Sequence, residues 1–250
     1  MNKIITGLNW CNSIIEIYFL FKRLFFITII SLILSLETNL SAQESKVNEK
    51  INALNVPDSI LLKMSTKDLV KTCLTYPCWI LITSRDNNQT GYDYIRSIFN
   101  GFRELEKRSD ACNELLKVYQ TMNPEEITSN KTLIEQGVSN FQFIFIELLI
   151  SQQSILKRST KDDIITAIKT SLSVFEKKSK EKNKYSLFSL STTSLILARI
   201  LEQSNTKIYE TLLYQNPVLI EFVEKAFVPS KDLLDQIAIS SLEYLNQLEL

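Results

Sequence analysis

Glu147 is the carboxylate in this sequence best placed to do chemistry. It stands within a run of apolar residues from Asn140 to Arg158 that holds Phe141, Phe143, Ile144, Phe145, Ile146, Leu148, Leu149, Ile150, Ile155 and Leu156. A carboxyl group buried without a partner titrates high and can serve as a general acid or base. With a nearby tyrosine or lysine it would support a hydrolase or lyase. The helical projection argues the other way. At about 100° per residue, Asn140, Glu147, Ser151, Ser154 and Arg158 fall within roughly 60° of one another. That strip reads as a crack open to solvent, with Glu147 a structural carboxylate. No residue is assigned as catalytic, and Glu147 is the single candidate.

The other reactive side chains have plainer readings. Cys73 and Cys78 are five residues apart across a helix end and a proline, and Cys112 lies on another helix. In an oxidising compartment a Cys73–Cys78 disulfide is allowed; otherwise all three are small buried apolar residues. Asp162-Asp163 and Glu125-Glu126 are first-turn acids that match a helix dipole. Lys177, Lys178, Lys180, Lys182 and Lys184 read as a solvated loop, and no aromatic residues interleave with them as on a single-stranded nucleic-acid surface. Tyr76, Trp79, Tyr92 and Tyr94 form an aromatic group suited to core packing or to an interface.

Composition narrows the field further. The 250 residues contain no histidine, which excludes Ser-His-Asp and Cys-His catalysis and histidine metal ligation. Four glycines leave little for phosphate-cradling loops. No cofactor and no metal site is expected, and the enzyme reading is disfavoured. With 28 basic and 28 acidic residues the formal charge is zero, so nothing points to nucleic acid as a partner.

The first 42 residues read as a signal peptide. Lys22-Arg23 precede the apolar run Leu24 to Leu36, and Leu40-Ser41-Ala42 supplies a small-residue cleavage site, placing the cut between Ala42 and Gln43. Residues 1–20 make the basic region too long, which suggests translation starting near Phe21. Cleavage removes three bases (Lys3, Lys22, Arg23) and two acids (Glu16, Glu37), leaving a formal charge of −1. The expected location is periplasmic or extracellular, with no stable membrane span after cleavage.

Residues 43–50 read as a polar tether and 51–250 as one helical domain. Helical punctuation recurs throughout. Ser65-Thr66-Lys67-Asp68, Ser159-Thr160-Lys161-Asp162 and Pro229-Ser230-Lys231-Asp232 have the pattern of helix N-caps, which accounts for their likeness as well as a repeat would. The spacing predicts helices over 57–64, 66–76, 94–105, 109–122, 140–158, 160–175, 186–203, 207–214, 217–227 (capped by Asn216) and 231–248. No segment alternates with a period of two. The class is all-α, an irregular multi-helix bundle or short helical-hairpin array of about nine or ten helices, organised around the helix through Glu147.

Met64-Ser65-Thr66-Lys67-Asp68-Leu69-Val70 with Cys73-Leu74-Thr75-Tyr76-Pro77, and Phe99-Asn100-Gly101-Phe102-Arg103-Glu104-Leu105 through Asp110-Ala111, resemble exported bacterial all-helical proteins of uncharacterised function. The likeness covers roughly residues 57–122 and implies export and helices, without an activity. The expected function is a protein-interaction or structural module of the cell envelope, with an unknown protein as partner. The alternatives are a carboxylate-dependent hydrolase or lyase centred on Glu147 and an apolar-ligand-binding helical bundle.

Overall fold

A computed structural model describes residues 54–126, 132–181 and 184–250. The chain divides into two compact units, Met1–Leu54 and Asn55–Leu250, and only the second is described below. The cleavage site at Ala42 and Gln43, the apolar run before it and the tether over 43–50 lie outside the described residues.

The second unit is all-helical, with no strand among the described residues. Its α-helices are α1 (Asp58–Leu61), α2 (Thr66–Leu74), α3 (Asn88–Ile98), α4 (Asn100–Leu105), α5 (Ala111–Thr121), α6 (Leu133–Ile150), α7 (Gln153–Leu156), α8 (Lys161–Lys180), α9 (Leu187–Ser204), α10 (Lys207–Gln215), α11 (Leu219–Lys225) and α12 (Lys231–Leu248). Short 3-10 segments occupy Trp79–Ser84 and Pro124–Glu126. None of the described helices is long and apolar enough to cross a membrane.

The capping chemistry works where the sequence places it. The Ser65 hydroxyl accepts from the Asp68 amide at the start of α2, and the Ser230 hydroxyl accepts from the Leu233 amide at the start of α12. Thr160 and Asp163 form a reciprocal capping box on α8, which satisfies two amides that the first helical turn leaves without partners. Asp110 departs from expectation. It sits at the N-cap of α5 but makes no capping bond, and its carboxylate instead accepts from Thr66 Oγ1 at 2.7 Å, tying α5 to the start of α2. Asn216 does not cap α11 either; it closes α10 and reaches Gln236 on α12.

Several helices differ in extent from the periodicity, three of them in ways that shape the sites. The stretch from Tyr94 to Leu105 is two helices, because Phe99 is extended (φ −124°, ψ 118°). Asn55 Oδ1 accepts from the Asn100 amide at 2.8 Å and so satisfies the new helix start. The helix through Glu147 stops at Ile150 instead of running to Arg158, with Gln152 extended before the single turn α7. The lysine-rich stretch is no loop at its beginning: α8 continues to Lys180, so Lys177, Lys178 and Lys180 occupy a last turn where cations complement the dipole.

The most enclosed helix is α9. Every residue from Ser189 to Leu201 is buried, and the helix packs against α6, α8, α10, α11 and α12. Its N-terminal half is Ser-Leu-Ser-Thr-Thr-Ser, so its burial is partly polar. Buried hydroxyls need partners. Ser191 donates to the Phe188 carbonyl within the helix, and Thr192 and Thr193 donate to a carboxylate on α6. A second packing centre joins Tyr76, Trp79, Tyr92, Phe99 and Phe102 with Phe145 of α6, Trp79 stacking on Phe145 at 4.4 Å between centroids.

Candidate functional site

Two buried charge systems stand out among the described residues, one at Glu147 and one at Arg199. The first contains Glu147. Its carboxylate is 0% exposed, which overturns the solvent-open strip: Ser151 is also 0% exposed, and α6 ends before the strip can continue. The reason is that the projection places residues on one helix and cannot see what packs over it. Here α5, α8 and α9 cover Glu147.

Glu147 Oε1 accepts from Tyr119 Oη at 2.7 Å, Thr193 Oγ1 at 2.7 Å and Lys178 Nζ at 2.8 Å. Oε2 accepts from Thr192 Oγ1 at 2.6 Å and Lys178 Nζ at 3.0 Å. Lys178 is likewise 0% exposed and completes its donor set on the Ser189 carbonyl at 3.1 Å and on Thr193 Oγ1 at 3.0 Å. The rings of Phe143 and Tyr185 face the same ammonium at 4.9 and 5.7 Å. Burial pulls the Lys178 ammonium below its ordinary range, and Glu147 opposes that pull. Burial, then the charge of Glu147, holds the Tyr119 phenol well above its ordinary value, so it stays a donor.

A buried carboxylate–ammonium pair is tolerable when its remaining lone pairs and protons are also satisfied. Five contacts from three neighbouring helices do that for Glu147. The arrangement is a four-helix tie that fixes the register of α5, α6, α8 and α9. A cleft of about 290 Å³ adjoins Tyr119, lined also by Met122, Lys169, Ser173 and Lys177.

The second system centres on Arg199 of α9, which sequence reasoning passed over. Arg199 is 3% exposed. Nε and Nη2 donate to the Val223 carbonyl at 3.0 and 2.8 Å, Nη1 donates to the Ser151 carbonyl at 3.1 Å, and Nη2 donates to Gln89 Oε1 at 2.7 Å. Ser151 closes α6 and Val223 lies in the last turn of α11, so the cation sits where the negative ends of two helix dipoles converge. Burial lowers the Arg199 pKa to about 10, against the nearby charges of Glu202 and Asp93, and the group remains a cation at neutral pH. No carboxylate lies within ion-pair distance of it among the described residues.

A cleft of about 310 Å³ opens beside Arg199. It is lined by Gln89, Asp93 and Arg96 of α3, Glu106, the segment Gln152–Ser154, and Val223 and Glu224 of α11. Arg96 Nε donates to both oxygens of Glu106 at 2.8 Å, and Tyr92 Oη donates to the same carboxylate at 2.7 Å. Gln89 Nε2 reaches Asp93 at 3.0 Å and Gln152 at 3.3 Å, so one amide connects Arg199 to the cleft acids. One signal of this site was present in the sequence: Arg199 is the single charge in Leu195-Ile196-Leu197-Ala198-Arg199-Ile200-Leu201. A lone cation in a run that must be buried needs acceptors around it.

The three cysteines among the described residues are free thiols, Cys73 and Cys112 buried and Cys78 partly exposed. Burial pushes the Cys112 thiol up to about 11 and the Cys73 thiol higher still. Lys177 pairs with Glu125 and Lys180 with Glu176 at the surface, as a solvated lysine run does. Asp163 is used in its capping box and also accepts from Asn113 of α5 at 3.1 Å. No cluster of potential metal ligands occurs among the described residues. Comparison with protein-family models, with curated proteins and with solved structures finds no match to the chain.

Proposed function

We propose that this chain is exported and that Asn55–Leu250 acts as a helical protein-interaction or structural module of the cell envelope or exterior, not as an enzyme. The observation that carries this reading is the enclosure of Glu147. The one catalytic candidate of the sequence has both oxygens occupied by five contacts from its own chain and no exposed surface. A general acid or base must come within hydrogen-bond reach of the proton it transfers, and here that reach is filled. The hydrolase or lyase reading would need those contacts broken. Apolar side chains on the outer helices, including Tyr214, Val218, Ile220, Ile239 and Leu242, offer contact area of the kind interaction surfaces use. Lys22-Arg23, the apolar run after them and Leu40-Ser41-Ala42 support export.

The test is expression of the full chain with a C-terminal tag in a bacterium, followed by fractionation, N-terminal mapping and in-cell crosslinking. The expected result is a mature species beginning at Gln43 in the envelope or medium, crosslinked to a stoichiometric protein partner. Uncleaved chain retained in the cytoplasm would overturn the export reading, and an unpartnered monomer in every fraction would overturn the module reading.

A further inference from the structure

We propose that the cleft beside Arg199 binds a small zwitterion of the free amino-acid class, its carboxylate held by the free Nη groups of Arg96 in the positive field of Arg199 and its ammonium by Asp93 and Glu224. This inference is independent of export and of any protein partner. Five observations lead to it. The cleft, at about 310 Å³, has the size of a pocket for a small molecule. Its lining carries both signs of charge, which disfavours a simple anion facing three carboxylates and a simple cation facing two guanidinium groups.

Both guanidinium groups are held in place, and Arg96 keeps free donors. Arg96 is fixed through Nε on Glu106, while neither of its Nη groups makes a hydrogen bond among the described residues. Arg199 spends its N–H groups on neutral acceptors of Val223, Ser151 and Gln89, so it supplies the cleft with positive charge and not with donors. The two free Nη groups of Arg96 suit the planar, bidentate demands of a carboxylate.

The acidic acceptors also have capacity. Glu224 is exposed and makes no hydrogen bond or ion pair among the described residues, and Asp93 uses one oxygen on Gln89 and leaves the other. An ammonium group has three donors and no acceptor, so two carboxylates and the Gln153 amide oxygen form a suitable partner set. No aromatic side chain lines the cleft, which fits a ligand recognised by its charges and not by an apolar face.

Calorimetric titration of the purified full chain with each common L-amino acid tests the proposal. The amide and the N-acetyl derivative of the tightest binder follow, removing the carboxylate charge and the ammonium charge in turn. The expected result is millimolar or tighter binding of at least one amino acid, weakened about tenfold or more in each derivative. Asp93→Asn and Glu224→Gln, both at exposed positions, should each weaken binding about tenfold, and Glu221→Gln, outside the cleft, should not. Absence of binding by folded protein at millimolar ligand would overturn the proposal. So would a derivative that binds as well as the parent, or undiminished binding by the Asp93→Asn, Glu224→Gln double variant.

Discussion

Lys178 Nζ lies 2.8 and 3.0 Å from the two oxygens of Glu147, and neither side chain has any solvent exposure. The two residues come from α6 and α8, and the hydroxyls of Tyr119, Thr192 and Thr193 complete the shell from α5 and α9. The pair therefore specifies how four helices meet. Enclosing two charges costs several kcal/mol, and the satisfied shell offsets that cost only when both partners are present.

Removing one partner should consequently cost more than removing both would suggest. Lys178→Met, which leaves a buried carboxylate without its cation, should destabilise by about 3–5 kcal/mol in urea unfolding. Glu147→Leu should do the same. The double variant should lose clearly less than the two single losses combined, with a coupling of about 1–3 kcal/mol. Additive losses would show that the pair does not act as a unit.

Two glycines should respond in opposite directions. A Cβ on Gly91 would lie 2.4 Å from the Ile82 carbonyl oxygen, where α3 crosses the backbone of the 3-10 segment, so Gly91→Ala should destabilise by about 1–3 kcal/mol. A Cβ on Gly137 meets nothing within 4 Å inside α6. Gly137→Ala should therefore raise stability by about 0.5–1 kcal/mol through helix propensity alone. Thermal unfolding of both variants beside the parent chain checks the pair.

The Asp163 carboxyl supplies a pH signature. Burial pushes it up, but bonds from the Thr160 amide and hydroxyl and from Asn113 outweigh burial and hold it below the ordinary carboxylate value of 3.8. A carboxyl depressed in the folded state stabilises above its unfolded pKa, and that contribution is lost as pH falls through the folded one. Asp163→Asn should thus lower stability by about 1 kcal/mol at pH 7, and the gap to the parent should narrow only below pH 3.8. A gap unchanged down to acid unfolding would exclude this role.

The thiols should separate by accessibility. Iodoacetamide applied to the native protein is expected to label Cys78 first, with Cys73 and Cys112 reacting only on unfolding, since thiolate formation and access both fail for the buried pair. Mass mapping of unreduced protein reads the same experiment for a bridge, because a Cys73–Cys78 disulfide would leave Cys78 unlabelled.

Much of the local architecture was legible in the residues themselves. Ser65, Thr160 and Ser230 cap their helices because a hydroxyl or carboxylate within three residues of an orphan amide needs no tertiary context. The same local logic failed at Asp110, where a partner 44 residues away on Thr66 took the carboxylate, and at Asn216, which closes one helix instead of opening the next. The apolar run through Glu147 suggested the organising helix; α9 holds that position more fully, and its Ser-Thr start concealed it because buried hydroxyls look like exposed ones until their acceptors are known.

By itself the sequence determined that this protein is helical, where many of its helices begin, and which chemistries its lack of histidine excludes. Those properties follow from backbone hydrogen bonding and from side chains acting within one turn. Tertiary structure alone decided that Glu147 is enclosed, that Lys178 leaves the lysine-rich surface to meet it, and that Arg199 faces a charged cleft with Asp93, Arg96 and Glu224. The physical reason is that burial and ion pairing depend on which helices cross, and Lys178 meets Glu147, 31 residues away in sequence, only because another helix is packed over it.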